Sequence, residues 1–325
     1  MVGKIHIMGI VNLTPDSFYA GSRVPEADAA LARMESMLAQ GADVLDLGAC
    51  STRPGSYQPT LEEEWGRLEP ILSAIAGHTP PCAPVIGAIR RPAVPGILPP
   101  GKIVEGEKAA GDNRGQSPLK FSGGGQAPGG VCPAISVDTY RSEIVQRTFD
   151  TIGPFIVNDI SAGQMDAKML ETVGRLGLPY IAMHMRGTPE TMQSLTDYDD
   201  VVEAVIDYFR DFSRKADEHG ILDWIVDPGF GFSKTLEQNY ELLARLDEVI
   251  SAFPERETLV GVSRKSMIYK KLGITPDEAM PATQVVQFAA LEKGATWLRV
   301  HDVAAAVQTA QIYSTMYTSS PEAAK

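Results

Sequence analysis

Eight stretches of this chain carry side chains that could do chemistry. They are Asn12 in NLTPDSF, Ser51-Thr52-Arg53-Pro54, Asp138-Thr139, Asn158-Asp159, His184-Met185-Arg186, Asp227 in DPGFGF, Ser263-Arg264-Lys265-Ser266 and Arg299-Val300-His301-Asp302. A carboxylate accepts two parallel hydrogen bonds from an amidine-like edge, so Asp138, Asn158 and Asp227 suit a planar heterocycle with adjacent N–H donors. Arg53, Lys265, Arg299 and His301 form a cationic set that suits an anionic, phosphorylated group. Asn12 offers a neutral carbonyl oxygen, a ligand for Mg²⁺ if a diphosphate supplies the other oxygens.

Each stretch also has a plainer reading. Asp138-Thr139 and Asn158-Asp159 could be helix N-caps, Arg186 and Arg264 surface charges, and His6 a core histidine. What separates the readings is convergence, because burying so many ionisable groups around one mouth is unfavourable without a ligand to pair them. Several chemistries are excluded. The chain has no GxxxxGK[ST] loop, and Gly229-Phe230-Gly231 lacks the third glycine of a dinucleotide fingerprint, which argues against ATP and NAD. HExxH and GxSxG are missing, and His184 has no second His or Cys at zinc-ligand spacing.

The elements that must position these residues are visible just before them. Short β-rich apolar runs occur at Ile5 to Val11, Val44 to Leu47, Ala134 to Val137, Phe155 to Val157, Tyr180 to Met183, Trp224 to Val226, Leu259 to Val262 and Trp297 to Val300, each followed by helical spacing. Eight βα units predict an α/β fold, a (β/α)₈ barrel, and in such barrels the sites lie at the C-terminal ends of the strands. Gly41, Gly177 and Gly294 stand where helix C-caps are needed ahead of strands two, five and eight.

The whole composition is close to that of soluble globular domains. The 325 residues are 44% hydrophobic and 22% charged, enough apolar content for a large core and too much for global disorder. The net charge of -12 disfavours nucleic acid and anionic membranes as partners, so an anionic ligand needs a local cationic pocket. No run of about 18 apolar residues occurs, and the N-terminus reads as a strand without a cleavage site, so a cytoplasmic protein is expected. Cys50, Cys82 and Cys132 show no CxxC spacing and predict neither a disulfide framework nor a thiolate zinc site. We expect one barrel domain over 1–325, interrupted at about 77–132 by a Pro- and Gly-rich insertion between helix two and strand three, a connection on the face opposite the chemistry. Within it, Val85 to Ile89 and Lys102 to Glu105 could pair as a hairpin.

NLTPDSF, STRPG, SVDTY, NDISAG, MHMRGTPETMQ, DPGFGFSKT, GVSRKS and RVHD, in this order, resemble the signature segments of dihydropteroate synthase, the folate-pathway enzyme inhibited by sulfonamides. The resemblance covers nearly the whole chain outside the insertion. It implies condensation of 6-hydroxymethyl-7,8-dihydropterin diphosphate with 4-aminobenzoate, giving dihydropteroate and diphosphate. By the same resemblance Asp138, Asn158, Met183, Asp227, Lys265 and Arg299 bind the pterin, and Asn12, Arg53, Arg299 and His301 bind diphosphate, with Mg²⁺ at Asn12. Phe18, Thr52, Pro54, Phe232, Lys265 and Ser266 match positions around the aminobenzoate, and Asp138, Lys265 and Arg53 match catalytic ones. The family is homodimeric through helices late in the barrel, and Val285 to Leu291 is apolar enough to fit. A fused pyrophosphokinase is not expected at this length.

Three positions depart from the family's pattern: Ala20 and Cys50 replace acidic residues, and Ala162 stands where glycine is common. Two alternatives follow. One is a degenerate pterin-binding relative that does not condense its ligand. The other is a pterin-dependent methyltransferase, which shares the acidic patch but has no need of the STRP and SRKS segments.

Overall fold

The computed structural model describes residues 3–13, 23–51, 56–78 and 134–318. Its strands are β1 (His6–Asn12), β2 (Val44–Gly48), β3 (Ala134–Asp138), β4 (Ile156–Asp159), β5 (Tyr180–Met183), β6 (Trp224–Asp227), β7 (Leu259–Val260) and β8 (Trp297–Val300). All pair in parallel, in the spatial order β6-β5-β4-β3-β2-β1-β8-β7. A parallel bridge from Val226 to Thr258 brings the two ends of this sheet together, giving the expected (β/α)₈ barrel.

Helices α1 (Arg23–Ala39), α2 (Leu61–His78), α3 (Ser142–Ile152), α4 (Met169–Leu176) and α5 (Val201–Glu218) follow the first five strands. Two helices follow each of the next two strands: α6 (Leu236–Ala244) and α7 (Leu246–Ala252) after β6, α8 (Ser266–Leu272) and α9 (Met280–Glu292) after β7. Helix α10 (Val303–Thr318) ends the described chain. Among the described residues no helix is long and apolar enough to cross a membrane.

Strand side chains alternate between two environments, as the period of two requires. Met8, Val44, Ile156, Ile181, Ile225, Leu259 and Trp297 fill the barrel interior, while Ile7, Leu45, Val137, Val157 and Ala182 pack outward under the helices. Each such fully buried aliphatic side chain contributes about 1.5–3 kcal/mol relative to exposure. His6 takes its plainer reading: it is buried and stacks on Trp297 with ring centroids 4.4 Å apart.

The strand limits carry one lesson for the site. Strands β3, β4 and β6 run beyond their expected apolar ends and include Asp138, Asn158 and Asp227 in their spans. Those side chains are therefore set by strand backbone rather than by loops. Helix α2 runs through His78, two residues into the expected insertion, and the rest of that insertion lies outside the described residues. At the C-terminus of α4, Gly177 adopts φ 63°, a left-handed conformation that closes the helix as expected.

Candidate functional site

Register brings the acidic residues side by side: Gly48 pairs with Asp138, Asp138 with Asn158, and Met183 with Asp227. Asn12 ends β1 opposite Gly48. A Cβ placed on Gly48 would lie 3.9 Å from both Asn12 Oδ1 and Asp138 Oδ2, so these two oxygens face one small space that glycine leaves open. Asp138, Asn158 and Asp227 are all buried. Burial pushes the Asp138 carboxyl above the ordinary carboxylate range, against the opposing pull of Arg299. Asp227 is raised for the same reason, with Lys265 pulling it down.

The cations meet this patch from β7 and β8. Arg299 donates from Nε to Asp46 Oδ2 at 2.7 Å and from Nη2 to Asp138 Oδ2 at 2.7 Å. Burial disfavours its charge, and Asp46 and Asp138 together outweigh that, holding the guanidinium charged. Lys265 Nζ donates to the Phe230 carbonyl at 2.5 Å and lies 4.6 Å from the centroid of the Phe232 ring. Burial lowers its ammonium to about 8, with Asp227 holding it up. His301 follows β8, its N–H and its Nδ1 lying 3.2 and 3.1 Å from Ser263 Oγ. Ser266 opens α8 immediately after Lys265.

One wall is apolar. Ile160, Met183, Met185 and Met192 form a buried cluster with Tyr140, Met165 and Phe232 packed against it, separate from the main core. A hydrophobic cluster that includes Met183, the register partner of Asp227, suits a heterocycle with a polar edge and apolar faces.

The loop after β6 is fixed from beneath. Asp227 Oδ1 accepts the Gly229 N–H at 2.9 Å. Gly229 adopts φ 70°, and a Cβ there would run into the His184 carbonyl, so only glycine fits. Buried Lys234 donates from Nζ to the carbonyls of Gly229 (3.0 Å) and Phe232 (3.1 Å) and lies 2.9 Å from His184 Nδ1. His184, expected among the mouth residues, is instead a buried support for this loop. Burial, reinforced by Lys234, keeps its imidazole neutral. Asp159 likewise serves its own turn, accepting from Ser161 and Gly163 N–H groups at 2.7 and 2.8 Å and from Tyr180 at 2.6 Å.

Arg264 is no loose surface charge. It adopts φ 54° and donates to both oxygens of Asp302 at 2.9 and 2.7 Å, joining the ends of β7 and β8 on either side of Lys265 and His301. Phe18, Thr52, Arg53 and Pro54 lie outside the described residues. The flanks of the last three are tied together, since Ser51's carbonyl accepts from Ser56 Oγ at 2.8 Å and from Gln58 Nε2 at 3.1 Å. Cys50 is buried beside them, and burial pushes its thiol up to about 11, so it is a passive side chain. Ala162 adopts φ 48°, which explains physically why glycine suits that position.

Two buried acids complete the neighbourhood. Glu64 accepts from Thr139 Oγ1 at 2.7 Å and pairs with Arg141, bracing the turn after β3. Asp46, fully buried on β2, holds Arg299 and also accepts from Asn158 Nδ2 at 3.1 Å. Sequence reasoning passed over both. Asp46 left one usable signal: in Val44-Leu45-Asp46-Leu47-Gly48, alternation puts its carboxylate on the interior face with Val44.

Comparison with known proteins agrees with this geometry. A family model described as pterin binding enzyme matches residues 8–85 and 127–301. Dihydropteroate synthase of Escherichia coli K12 is 33% identical, over 94% of this chain and 90% of that protein. The mitochondrial folate synthesis bifunctional protein of Arabidopsis thaliana is also 33% identical, over 96% of this chain, which spans 50% of that longer relative. Among solved structures, Yersinia pestis dihydropteroate synthase with a sulfonamide drug is 29% identical with a TM-score of 0.75, covering 97% of this chain and 95% of that one. The Xanthomonas albilineans enzyme with 4-aminobenzoic acid is 29% identical with a TM-score of 0.74, covering 98% and 94%. The chain belongs to the pterin binding enzyme family. Within it, the Escherichia coli, Yersinia pestis and Xanthomonas albilineans proteins named above are dihydropteroate synthases.

Proposed function

We propose that this barrel condenses 6-hydroxymethyl-7,8-dihydropterin diphosphate with 4-aminobenzoate, releasing diphosphate and forming 7,8-dihydropteroate. The observation that carries the reading is the meeting of Asp138, Asn158 and Asp227 with Lys265 and Arg299 at one mouth, beside the wall of Met183 and Phe232. Asp138, Asn158 and Asp227 accept the N–H groups of the pterin edge, and Arg299 lies against its face. Departure of diphosphate leaves positive charge over the dihydropterin, which anionic Asp138 stabilises in a site of low dielectric. Arg299, His301 and Asn12 hold the leaving diphosphate. Lys265, Phe232 and Ser266 border the aminobenzoate, and the resemblance adds Phe18, Thr52, Arg53 and Pro54. The nucleophile is the uncharged aniline nitrogen of the substrate, so no catalytic serine or cysteine is needed.

Asn12 Oδ1 borders the small space that Gly48 leaves open beside Asp138, so Asn12 would add one oxygen to a Mg²⁺ ion carried by the diphosphate. Bound there, Mg²⁺ would offset charge on the leaving group. We also take the chain to be a homodimer through α9 and α10, where Val285, Ile312 and Met316 are exposed. Cytoplasmic placement and binding of sulfonamides in place of 4-aminobenzoate belong to the same reading.

Diphosphate release by purified protein with Mg²⁺ and the dihydropterin diphosphate, run with and without 4-aminobenzoate, tests it. Dihydropteroate identified by mass only when both substrates are present is the expected result. Pterin binding without coupled product would identify a degenerate relative and overturn the proposal.

A further inference from the structure

Asp46 has no part in the chemistry above, yet it holds two of the site's side chains, Arg299 and Asn158. It is fully buried inside the barrel. Its Oδ2 alone takes Arg299 Nε at 2.7 Å, Arg299 Nη2 at 2.6 Å and Asn158 Nδ2 at 3.1 Å. Its Oδ1 is buried with no hydrogen-bond partner among the described residues. Arg299 Nη2 is at the same time 2.7 Å from Asp138 Oδ2, so one nitrogen is shared between two carboxylates.

This sharing conflicts with substrate binding. An amidine-like edge bonds best to both oxygens of a carboxylate, and the lone pair and charge that Asp138 Oδ2 gives to Arg299 are withheld from that edge. As the pterin edge takes the oxygens of Asp138, the hold of Arg299 there weakens, and a buried guanidinium beneath the diphosphate still needs a fixed carboxylate to orient it. Asp46 resolves the conflict, because its unpartnered Oδ1 is spare acceptor capacity beside the same guanidinium. We propose that Asp46 is a positioning residue, the permanent counter-ion to which Arg299 retreats as a two-oxygen pair when Asp138 turns to the pterin. The inference rests on the pterin reading of the preceding subsection.

Without the Asp46 carboxylate, Arg299 has Asp138 as its remaining partner in this pair and competes with the pterin for it. Asp46→Asn keeps an acceptor oxygen for Asn158 and removes the negative charge that holds Arg299. Calorimetric titration with 6-hydroxymethyl-7,8-dihydropterin diphosphate is run on the wild-type protein, Asp46→Asn, Arg299→Gln and the double variant. The expected result is pterin affinity weakened about tenfold or more in Asp46→Asn, with the KM for 4-aminobenzoate within about twofold of wild type. In the Arg299→Gln background, Asp46→Asn causes no further loss. Wild-type affinity in folded Asp46→Asn, or an equal loss in both backgrounds, would overturn the inference. If Asp46→Asn does not fold, the neutral pair Asp46→Asn/Arg299→Gln compared with Arg299→Gln decides it: equal affinity supports the retreat and further loss refutes it. Failure of the wild-type protein to bind the dihydropterin would instead count against the functional reading.

Discussion

At the residue scale the site is a set of buried charges whose protonation sets its working range. Lys265 is charged below about 8 and neutral above it, and the neutral amine loses its attraction to Asp227 and to the Phe232 ring. Turnover should therefore decline as pH rises through about 8. Arginine stays protonated throughout this range, so Lys265→Arg, though slower at neutral pH, should lack that decline. The measurement is kcat/KM against pH for both proteins, and an identical alkaline limb would remove Lys265 as its source. Cys50, by contrast, should resist thiol reagents at neutral pH, since its thiolate is disfavoured by burial and by Glu64.

At the element scale, order at the mouth depends on helix starts. Thr235 caps α6 by accepting the Gln238 N–H at 3.2 Å, while Gln238 Oε1 accepts the Thr235 N–H at 2.9 Å, a complete capping box. Thr235→Ala should lower the unfolding free energy by about 1 kcal/mol, read from urea denaturation. The elements themselves were largely legible in the chain. Tyr180 to Met183 and Trp297 to Val300 match β5 and β8 residue for residue, because short apolar runs bounded by turn residues leave little choice. Leu259 to Val262 was longer than β7, which pairs only at Leu259 and Val260. Apolar runs mark burial rather than pairing, and Val262 stays buried without extending the strand.

The site was legible where polar side chains cluster at or just beyond the ends of apolar strand runs, as at Asp138, Asn158, Asp227, Lys265 and Arg299. It was not legible where the partner is remote. His184 and Lys234 lie in recognisable segments, but their contact spans 50 positions and depends on the fold of the intervening chain. Glu64 follows Glu62 and Glu63 in the first turn of α2, where an acid ordinarily faces water and favours the helix dipole. Its burial becomes evident only once Arg141 is brought to it.

At the scale of the whole molecule, a chain of net charge -12 carries Lys265, Arg299 and His301 around one mouth, so an anionic ligand would be recognised locally rather than through a long-range field. The opposite kind of surface occurs on α9 and α10, where Val285 is 71% and Ile312 61% exposed. A paired surface of this kind fits a homodimer, with the apolar side chains covered by a second copy. Val285→Glu/Ile312→Glu should yield a folded monomer by light scattering where the wild-type protein is a dimer, and a monomeric wild type would refute the interface.

The central claim is that the buried carboxylates of the barrel mouth drive the condensation, and Asp138 is its most exacting test. Asp138→Asn keeps the shape and one acceptor oxygen but cannot carry the negative charge that offsets the developing cation. Dihydropteroate formation by this variant, compared with wild type under saturating substrates, should fall at least about a hundredfold with an unchanged unfolding midpoint. Near-normal turnover in a folded Asp138→Asn protein would contradict the account.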